Sequence, residues 1–333
     1  MLFPELAIAP GSLTGIAKLA SQGELLASKK RVEYRDLPTR RFIGRASGNR
    51  VPFDWTINPY RGCEFGCKYC YARYTHEFME KPDPEQFERE IFAKQFDPRE
   101  FRRELSRIPR SQVICIGTAT DPYQPAERRF EVTRKILGVL AEDRGRTLCV
   151  TTKSDLVGRD VDLLGRIAKS NVLHVSMTIT TTDEHLARAL EPYAPRPALR
   201  LDAIERLSSA GIRVAVLCSP IMPLINDSNP SIESVAKAAS CAGATYLSGN
   251  VLFLKPCAQK AFFPFLEQHF PALVRKYRER YLRHAYLDPA FSERILLRLH
   301  AIRERFGLTH RSFAYQPEHW AGEPQLELFN LPS

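Results

Sequence analysis

Residues 58–73 read Asn58-Pro59-Tyr60-Arg61-Gly62-Cys63-Glu64-Phe65-Gly66-Cys67-Lys68-Tyr69-Cys70-Tyr71-Ala72-Arg73, and they place three cysteines within eight residues. Thiolates are soft ligands that suit iron–sulfur clusters and zinc, and a tight loop with Gly62 and Gly66 can wrap its backbone around a compact inorganic core. A fourth cysteine is missing from this loop, whereas a cluster that only transfers electrons is normally closed by four thiolates. The segment therefore predicts a metal centre with an incomplete set of protein ligands.

Short β-rich runs alternate with longer helical patterns from about residue 54 onward. We predict strands at residues 55–58, 113–118, 148–153, 173–180, 214–220 and 246–254, and helices at 98–106, 127–143, 161–169, 197–210 and 232–242. This alternation is typical of βα units that build a parallel sheet. Six units are too few for a closed eight-stranded barrel, so we predict an α/β fold, a partial (β/α)6 TIM-type barrel with its site at the carboxyl ends of the strands. A doubly wound sheet is the alternative.

The chain divides into four predicted parts. Residues 1–50 lack a strong period and carry a basic run, which predicts a basic N-terminal arm. Residues 51–258 form the predicted barrel, and residues 259–320 have a basic helical pattern that predicts a helical C-terminal extension. Residues 321–333 are predicted to be a flexible tail.

Composition favours a cytoplasmic protein. The 333 residues are 44% hydrophobic, enough for a large core, but the apolar runs are far shorter than the roughly 20 residues that span a bilayer. The first 26 residues do not have a basic region ahead of their apolar residues, as a secretory signal peptide does. The eight scattered cysteines do not have the regular spacing of a disulfide framework. The formal charge of +10 would attract phosphate polyanions, although a basic surface without a nucleic-acid role is equally compatible with it.

The pattern Cys-x3-Cys-x2-Cys, with Tyr69 directly before the third cysteine, resembles the signature of the radical S-adenosylmethionine (SAM) superfamily. The resemblance implies that Cys63, Cys67 and Cys70 each bind one iron of a [4Fe-4S] cluster and that SAM binds the fourth. An electron donor such as flavodoxin or ferredoxin would then drive cleavage of SAM to a 5′-deoxyadenosyl radical, with Tyr69 near the adenine. The alternative is a structural zinc site completed by His76.

Polar groups at the ends of the predicted strands supply further candidates for SAM binding. Most radical SAM enzymes have a glycine-glycine-glutamate run after the second strand. This sequence has Gly117, Thr118 and Asp121 there instead, and Asp121 is alternatively a helix cap. The other candidates are Lys153 after the third strand, Ser176 and Thr178 on the fourth, and Glu184 in a charged cluster that also contains Glu191, Arg196 and Arg200. For Lys153 the alternative is a solvated lysine, and for Ser176 and Thr178 it is an ordinary half-buried strand.

Three segments, at residues 58–63, 120–125 and 190–192, resemble the spore photoproduct lyase-like branch of the superfamily. This resemblance implies action on nucleic acid, with DNA photoproduct or lesion repair as the expected lyase reaction, and a cysteine that returns hydrogen to the product. Cys218 is the candidate for that donor, and a buried core residue is its alternative. Radical modification of RNA, protein or a small metabolite is a second hypothesis. A metal-bound nucleic-acid-binding module without turnover is the third.

Near the end of the chain, Gln325-Leu326-Glu327-Leu328-Phe329 resembles the pentapeptide that docks DNA-associated proteins onto the bacterial sliding clamp. Leu328 and Phe329 would enter an apolar pocket, while Gln325 would form a hydrogen bond in a second one. A tail that folds back and buries these side chains is the alternative.

Overall fold

The computed structural model describes residues 13–29, 31–39, 41–46, 51–281, 283–310, 314–315 and 317–319. The strands in these ranges are β1 (Leu25–Lys29), β2 (Val32–Leu37), β3 (Ile43–Arg45), β4 (Trp55–Ile57), β5 (Tyr60–Arg61), β6 (Glu90–Lys94), β7 (Val113–Ile116), β8 (Thr147–Thr152), β9 (Val172–Thr178), β10 (Arg213–Ile221) and β11 (Tyr246–Val251). The helices are α1 (Gly15–Gln22), α2 (Tyr74–Glu77), α3 (Gln86–Arg89), α4 (Pro98–Ser106), α5 (Glu127–Phe130), α6 (Val132–Leu140), α7 (Val161–Ser170), α8 (Glu184–Leu190), α9 (Pro197–Ser209), α10 (Asn229–Cys241), α11 (Pro256–His269), α12 (Val274–Tyr281) and α13 (Pro289–Arg305).

Seven strands form the central sheet, in the order β11-β10-β9-β8-β7-β4-β3. Six of these strands run parallel to one another, namely β4, β7, β8, β9, β10 and β11. The seventh, β3, pairs antiparallel with β4. These six parallel strands are the ones predicted from the sequence, and helices lie between them, so the predicted α/β class is confirmed. Their spatial order follows the chain in one direction, whereas a doubly wound sheet reverses direction at a switch point. The alternative topology is therefore not the one observed.

The central sheet has two chemically different faces. On β8, Leu148 and Val150 belong to the main buried hydrophobic cluster, together with the helices that connect the strands. Cys149 and Thr151 alternate with them and point to the opposite side, where Thr151 is in register with Ser176 of β9. We call these two sides the apolar face and the polar face. Burial of the apolar face under the helices is the main source of stability of the sheet.

The N-terminal segment does not form a separate arm over its described residues. β1, β2, β6 and β5 form a second sheet in that order, in which β2 is parallel to β6. Tyr34 and Leu37 of β2 are buried, and β3 extends the central sheet. The sequence does not reveal this arrangement because the strands are short and β2 pairs with a segment more than fifty residues further along the chain.

The helices α11, α12 and α13 lie in the described part of the C-terminal segment. Phe262 and Phe265 of α11 belong to the same buried cluster as Cys63 and Tyr69, so α11 packs against the loop of the cysteine trio. The predicted boundary at residue 258 falls inside α11. In the described part of the chain, no helix combines the length and the apolar character needed to cross a membrane. The predicted tail, residues 321–333, lies outside the described residues.

Candidate active site

The three cysteines lie on the loop that follows β5. Cys63 and Cys67 are buried, Cys70 is half-buried, and all three are free thiols. Burial, followed by the charges of Asp121 and of the other two thiols, raises the pKa of Cys63 well above its ordinary value. Burial likewise raises the pKa of Cys67 to about 12. Clustered thiols of this kind become thiolates only when a cation or a metal cluster binds them, which fits an iron–sulfur centre.

Two glycines give the loop its path. Gly62 and Gly66 have φ values of +80° and +64°, a conformation that side chains with a Cβ rarely adopt. A Cβ at Gly62 would lie 2.7 Å from the carbonyl oxygen of Glu90 and 2.9 Å from that of Phe87. The loop therefore passes β6 and α3 at a distance that only glycine permits.

Two side chains from the segment after β7 hold the loop in place. Thr120 Oγ1 and Gln124 Nε2 donate to the carbonyl oxygen of Gly62 at 2.6 and 3.1 Å. The carboxylate of Glu64 accepts the backbone N–H of Ala126 at 2.8 Å and the hydroxyl of Tyr34 at 2.9 Å. The second sheet and the end of β7 thus both position the cysteine loop. Neither Glu64 nor Gln124 is among the predicted site residues, and the only sequence signal for them is their position in the motif segments.

Asp121 lies at the end of β7 with its oxygens occupied by protein donors. Thr152 Oγ1 and the backbone N–H of Tyr123 donate to Oδ1 at 2.7 and 2.9 Å, and the backbone N–H of Lys153 donates to Oδ2 at 2.7 Å. These bonds join the ends of β7 and β8 beside the cysteine loop. The geometry assigns Asp121 first to positioning, and its influence on Cys63 is electrostatic.

Gly117 and Thr118 lie on the turn that follows β7. At Gly117, φ is +86° and a Cβ would lie 2.5 Å from both Thr151 O and Pro122 Cδ, so this glycine allows close backbone crossing. The hydroxyl of Thr118 contacts Thr56 Oγ1, and its carbonyl oxygen accepts the hydroxyl of Tyr71, the residue after Cys70. The turn is therefore connected directly to the cysteine loop.

A buried hydrogen-bond network connects Tyr69 with α9. The Tyr69 hydroxyl donates to Glu191 and lies 3.1 Å from Thr180 Oγ1, which donates to the same carboxylate at 2.9 Å. Arg200 of α9 binds the second oxygen of Glu191. Lys153 Nζ lies 5.7 Å from the centroid of the Tyr69 ring. The aromatic residue of the motif is thus held from three sides.

Charge in this network is balanced. Burial opposes ionisation of Glu191, but Arg200, Lys153 and the Tyr69 hydroxyl outweigh it and lower the pKa of the carboxylate. Burial also opposes the charge of Lys153, but Cys67, Glu191 and Asp121 outweigh it and raise the pKa of the ammonium group. Lys153 is therefore held as a cation beside the trio.

Glu184 is not part of this network. It is exposed at the start of α8, and its carboxylate lies 3.7 Å from the guanidinium of Arg196, which is also exposed. The buried acid of the charged cluster is Glu191, one residue past the end of α8. The sequence contains both glutamates, but only the fold decides which one turns inward.

The polar face of the sheet adjoins the site at the ends of the strands. Ser176 and Thr178 of β9 lie on this face, and Ser176 Oγ is 3.5 Å from Cys149 Sγ. Cys115 Sγ and Cys149 Sγ lie 3.8 and 3.9 Å from Thr151 Oγ1. Two thiols therefore line the hydroxyl-rich face.

Cys218 points the other way. Leu217, not Cys218, is in register with Thr178 of the polar face, and Cys218 belongs to the hydrophobic cluster of the apolar face. Burial raises its pKa to about 12. The structure therefore favours the alternative of a buried core residue for Cys218, because one step along a strand moves a side chain to the other face.

His76, the fourth ligand of the zinc alternative, has other contacts. Its Nε2 lies 3.1 Å from the carbonyl oxygen of Glu90, and its ring packs against Phe87 and Phe92 at centroid distances of 5.2 and 6.1 Å. Burial lowers its pKa to about 4. Across the described ranges, no three His, Cys, Asp or Glu side chains surround one position for a single metal ion.

The fold is similar to that of solved structures of spore photoproduct lyase. A cysteine-to-serine mutant of that enzyme superposes with a TM-score of 0.62 over 83% of this chain and 81% of the other, at 14% sequence identity. A double mutant of the same enzyme, with bound AdoMet and dinucleoside spore photoproduct, gives a TM-score of 0.60 over 83% and 80% of the two chains, at 15% identity. At these identities the likeness defines the class of fold.

The sequence profile of the Radical SAM superfamily matches residues 57–239, so the chain belongs to this superfamily and is a radical SAM enzyme. Its cofactors are a [4Fe-4S] cluster and SAM. The uncharacterized protein Rv2578c of Mycobacterium tuberculosis is 30% identical over 97% of this chain and 93% of its own length. The uncharacterized protein MJ0683 of Methanocaldococcus jannaschii is 30% identical over 65% of this chain and 76% of its own. When bound, the two cofactors supply a 5′-deoxyadenosyl radical that abstracts hydrogen.

Proposed function

We propose that this enzyme abstracts hydrogen from a nucleic-acid substrate, with a DNA photoproduct or another DNA lesion as the target. The observation that carries the proposal is the polar face, which presents hydroxyls and two thiols. Lys153, two residues past Thr151 of this face, lies against the Tyr69 ring of the cysteine loop. The fold shared with an enzyme solved with a dinucleoside photoproduct supports it. The formal charge of +10 favours a polyanionic partner.

In this proposal the central sheet acts as a partial (β/α)6 barrel whose polar face is the lumen. Cys63, Cys67 and Cys70 hold three irons. Tyr69, Gly117, Thr118 and Lys153 surround SAM on the side of the loop, and Ser176 and Thr178 face it from β9. Asp121 and Glu191 position Lys153 and Tyr69, because the first accepts the Lys153 N–H and the second accepts the Tyr69 hydroxyl.

The hydrogen donor to the product is a thiol of the polar face, Cys115 or Cys149, rather than Cys218. Both lie within 4 Å of the Thr151 hydroxyl, on the side where a substrate would meet the radical. Cys218 is buried on the apolar face under the helices.

Two partners belong to the same proposal. A reductant such as flavodoxin or ferredoxin supplies the electron. The tail motif, with Gln325, Leu326, Leu328 and Phe329, would tether the enzyme to the sliding clamp, although these residues lie outside the described part of the chain. A pull-down that retains equal amounts of clamp with intact enzyme and with a Leu328→Ala, Phe329→Ala variant would exclude the tether.

Anaerobic reconstitution followed by incubation with ultraviolet-irradiated DNA tests the function. We expect about four irons per chain, 5′-deoxyadenosine after addition of dithionite and SAM, and loss of a lesion nucleoside in mass spectra. A Cys67→Ala variant should lose all three signals, whereas Cys241→Ala, an exposed thiol on α10, should keep them.

Each alternative gives a different result. A protein that binds DNA but holds no cluster and forms no 5′-deoxyadenosine would be the binding module without turnover. Full SAM cleavage with unchanged DNA, and with a modified RNA, protein or metabolite in the same assay, would move the substrate to that class.

A further inference from the structure

A row of aromatic rings leads away from the cysteine loop. The Tyr71 ring follows Cys70 directly, and its centroid lies 5.2 Å from that of Phe253. The Phe253 ring stacks in turn on Tyr286, at a centroid distance of 5.3 Å and an interplanar angle of 14°. Tyr71 is 37% exposed and Tyr286 is 49% exposed despite these contacts. The row therefore lies at the surface rather than in the core.

The outer end of the row opens into a groove of about 620 Å³ between α12 and α13. Arg280, His284, Tyr286 and Phe291 line it. The guanidinium of Arg280 lies 5.0 Å from the centroid of the Phe291 ring, and that of Arg294 lies 5.7 Å from the same ring. The groove thus combines aromatic faces with cationic side chains.

The one carboxylate among the described residues that line the groove is already engaged. Asp288 caps the start of α13, where its Oδ1 accepts the backbone N–H of Phe291 at 3.1 Å. A capping carboxylate is directed at the first turn of its helix. The guanidinium groups of Arg280 and Arg294, which both lie against the Phe291 ring, outnumber this carboxylate by two to one, which complements a phosphate backbone.

We propose that the row Tyr71–Phe253–Tyr286 and the adjoining groove form a stacking track for single-stranded nucleic acid that ends at the cysteine loop. The class of substrate in this inference rests on the proposed function. The inference adds the path of the strand and the single-stranded form in which it binds. Bases stack on aromatic faces whatever their sequence, while arginine side chains hold the backbone. An unpaired or extruded nucleotide at Tyr71 would then lie next to Cys70, as base chemistry requires.

A single-stranded oligonucleotide that contains 2-aminopurine tests the track, because stacking on tyrosine quenches the fluorescence of this base. Reconstituted enzyme would be titrated against the DNA strand, an RNA strand of the same sequence and the DNA duplex. Tyr286→Leu keeps an apolar side chain but removes the ring, whereas Tyr286→Phe keeps the ring. Arg280→Gln removes a cation from the groove, and Arg275→Gln removes an 84% exposed cation from the same helix.

We expect wild-type enzyme and Tyr286→Phe to bind single strands with quenching and to bind the duplex more weakly. Tyr286→Leu should bind roughly tenfold more weakly and lose the quenching, and Arg280→Gln should weaken binding more than Arg275→Gln. The DNA and RNA arms decide which single strand is preferred. Equal affinity and equal quenching for wild type and Tyr286→Leu would overturn the track while leaving the proposed function in place. Absence of binding to every nucleic acid by the wild type would overturn both.

Discussion

The carboxylate of Glu191 binds the guanidinium of Arg200 in a pair from which solvent is excluded, and the same carboxylate accepts the hydroxyl of Tyr69. Glu191 is 2% exposed and Arg200 is 1% exposed. An ion pair at this depth is stable only because Thr180 and Tyr69 satisfy the remaining oxygen. The pair therefore links α9 to the aromatic residue of the cysteine motif.

Glu191→Gln should destabilise the protein by about 3 kcal/mol, because it leaves the charge of Arg200 buried without its partner. The same change should weaken SAM binding, since the amide keeps a single acceptor oxygen for the three donors Tyr69, Thr180 and Arg200. Chemical denaturation and equilibrium binding of SAM to the reconstituted enzyme measure the two effects. Glu184→Gln is the matched control: its pair with Arg196 is exposed, so a loss of at most about 1 kcal/mol is expected. Equal losses in the two variants would contradict the network.

Gly62→Ala should displace the cysteine loop. The new Cβ would stand 2.7 Å from the Glu90 carbonyl oxygen, in a backbone conformation at φ +80° that alanine disfavours. We expect a loss of about 2 kcal/mol or more in stability and a lower iron content after reconstitution. Gly165→Ala in α7, where a Cβ has nothing within 4 Å, should instead stabilise by up to about 1 kcal/mol. A Gly62→Ala enzyme with full iron content and wild-type stability would contradict this account of the loop.

The two faces of the sheet predict opposite responses to a hydroxyl. Cys218→Ser buries a hydroxyl in the apolar cluster and should cost about 1–3 kcal/mol. Cys149→Ser places the same group 3.5 Å from Ser176 Oγ, where it can form a hydrogen bond, so the cost should be clearly smaller. Urea denaturation of both variants under reducing conditions makes the comparison. The reverse order of stabilities would place Cys218 on the polar face.

Lys94→Met should stabilise the protein near neutral pH. Burial lowers the pKa of Lys94 to about 7 in the folded protein, below its ordinary value of 10.5. The unfolded chain therefore binds more protons between these values, so wild-type stability rises with pH across this window. The advantage of the variant should be largest at pH 7 and below, and it should shrink by about 1.4 kcal/mol per pH unit up to pH 10.

Denaturation midpoints of both proteins at pH 7, 8 and 9 measure this difference. Lys81→Met, which removes an ammonium group that is 24% exposed and paired with Glu90, is the control. It should not stabilise at pH 7. An advantage of Lys94→Met that does not vary with pH would show that burial of the charge is not its cause.

Local patterns were sufficient for the cysteine loop and for the six parallel strands. Three cysteines in eight residues is a spacing that does not depend on distant residues. A strand such as β7 is a short continuous apolar run between helical patterns. The strands of the second sheet were not predicted. β2 has a few alternating residues, and its partner β6 follows the cysteine loop, so the pairing exists only once the chain has folded.

Sequence alone indicated a cysteine trio with the spacing of the radical SAM signature, on an α/β scaffold of six parallel strands. The fold decided which side chains surround that trio. It turned Glu191 inward and left Glu184 in water, it buried Cys218 on the apolar face, and it aligned Tyr71 with Tyr286 through Phe253. The physical reason is that ligand type is a property of single residues, whereas burial, facing and stacking depend on contacts between segments far apart in the chain.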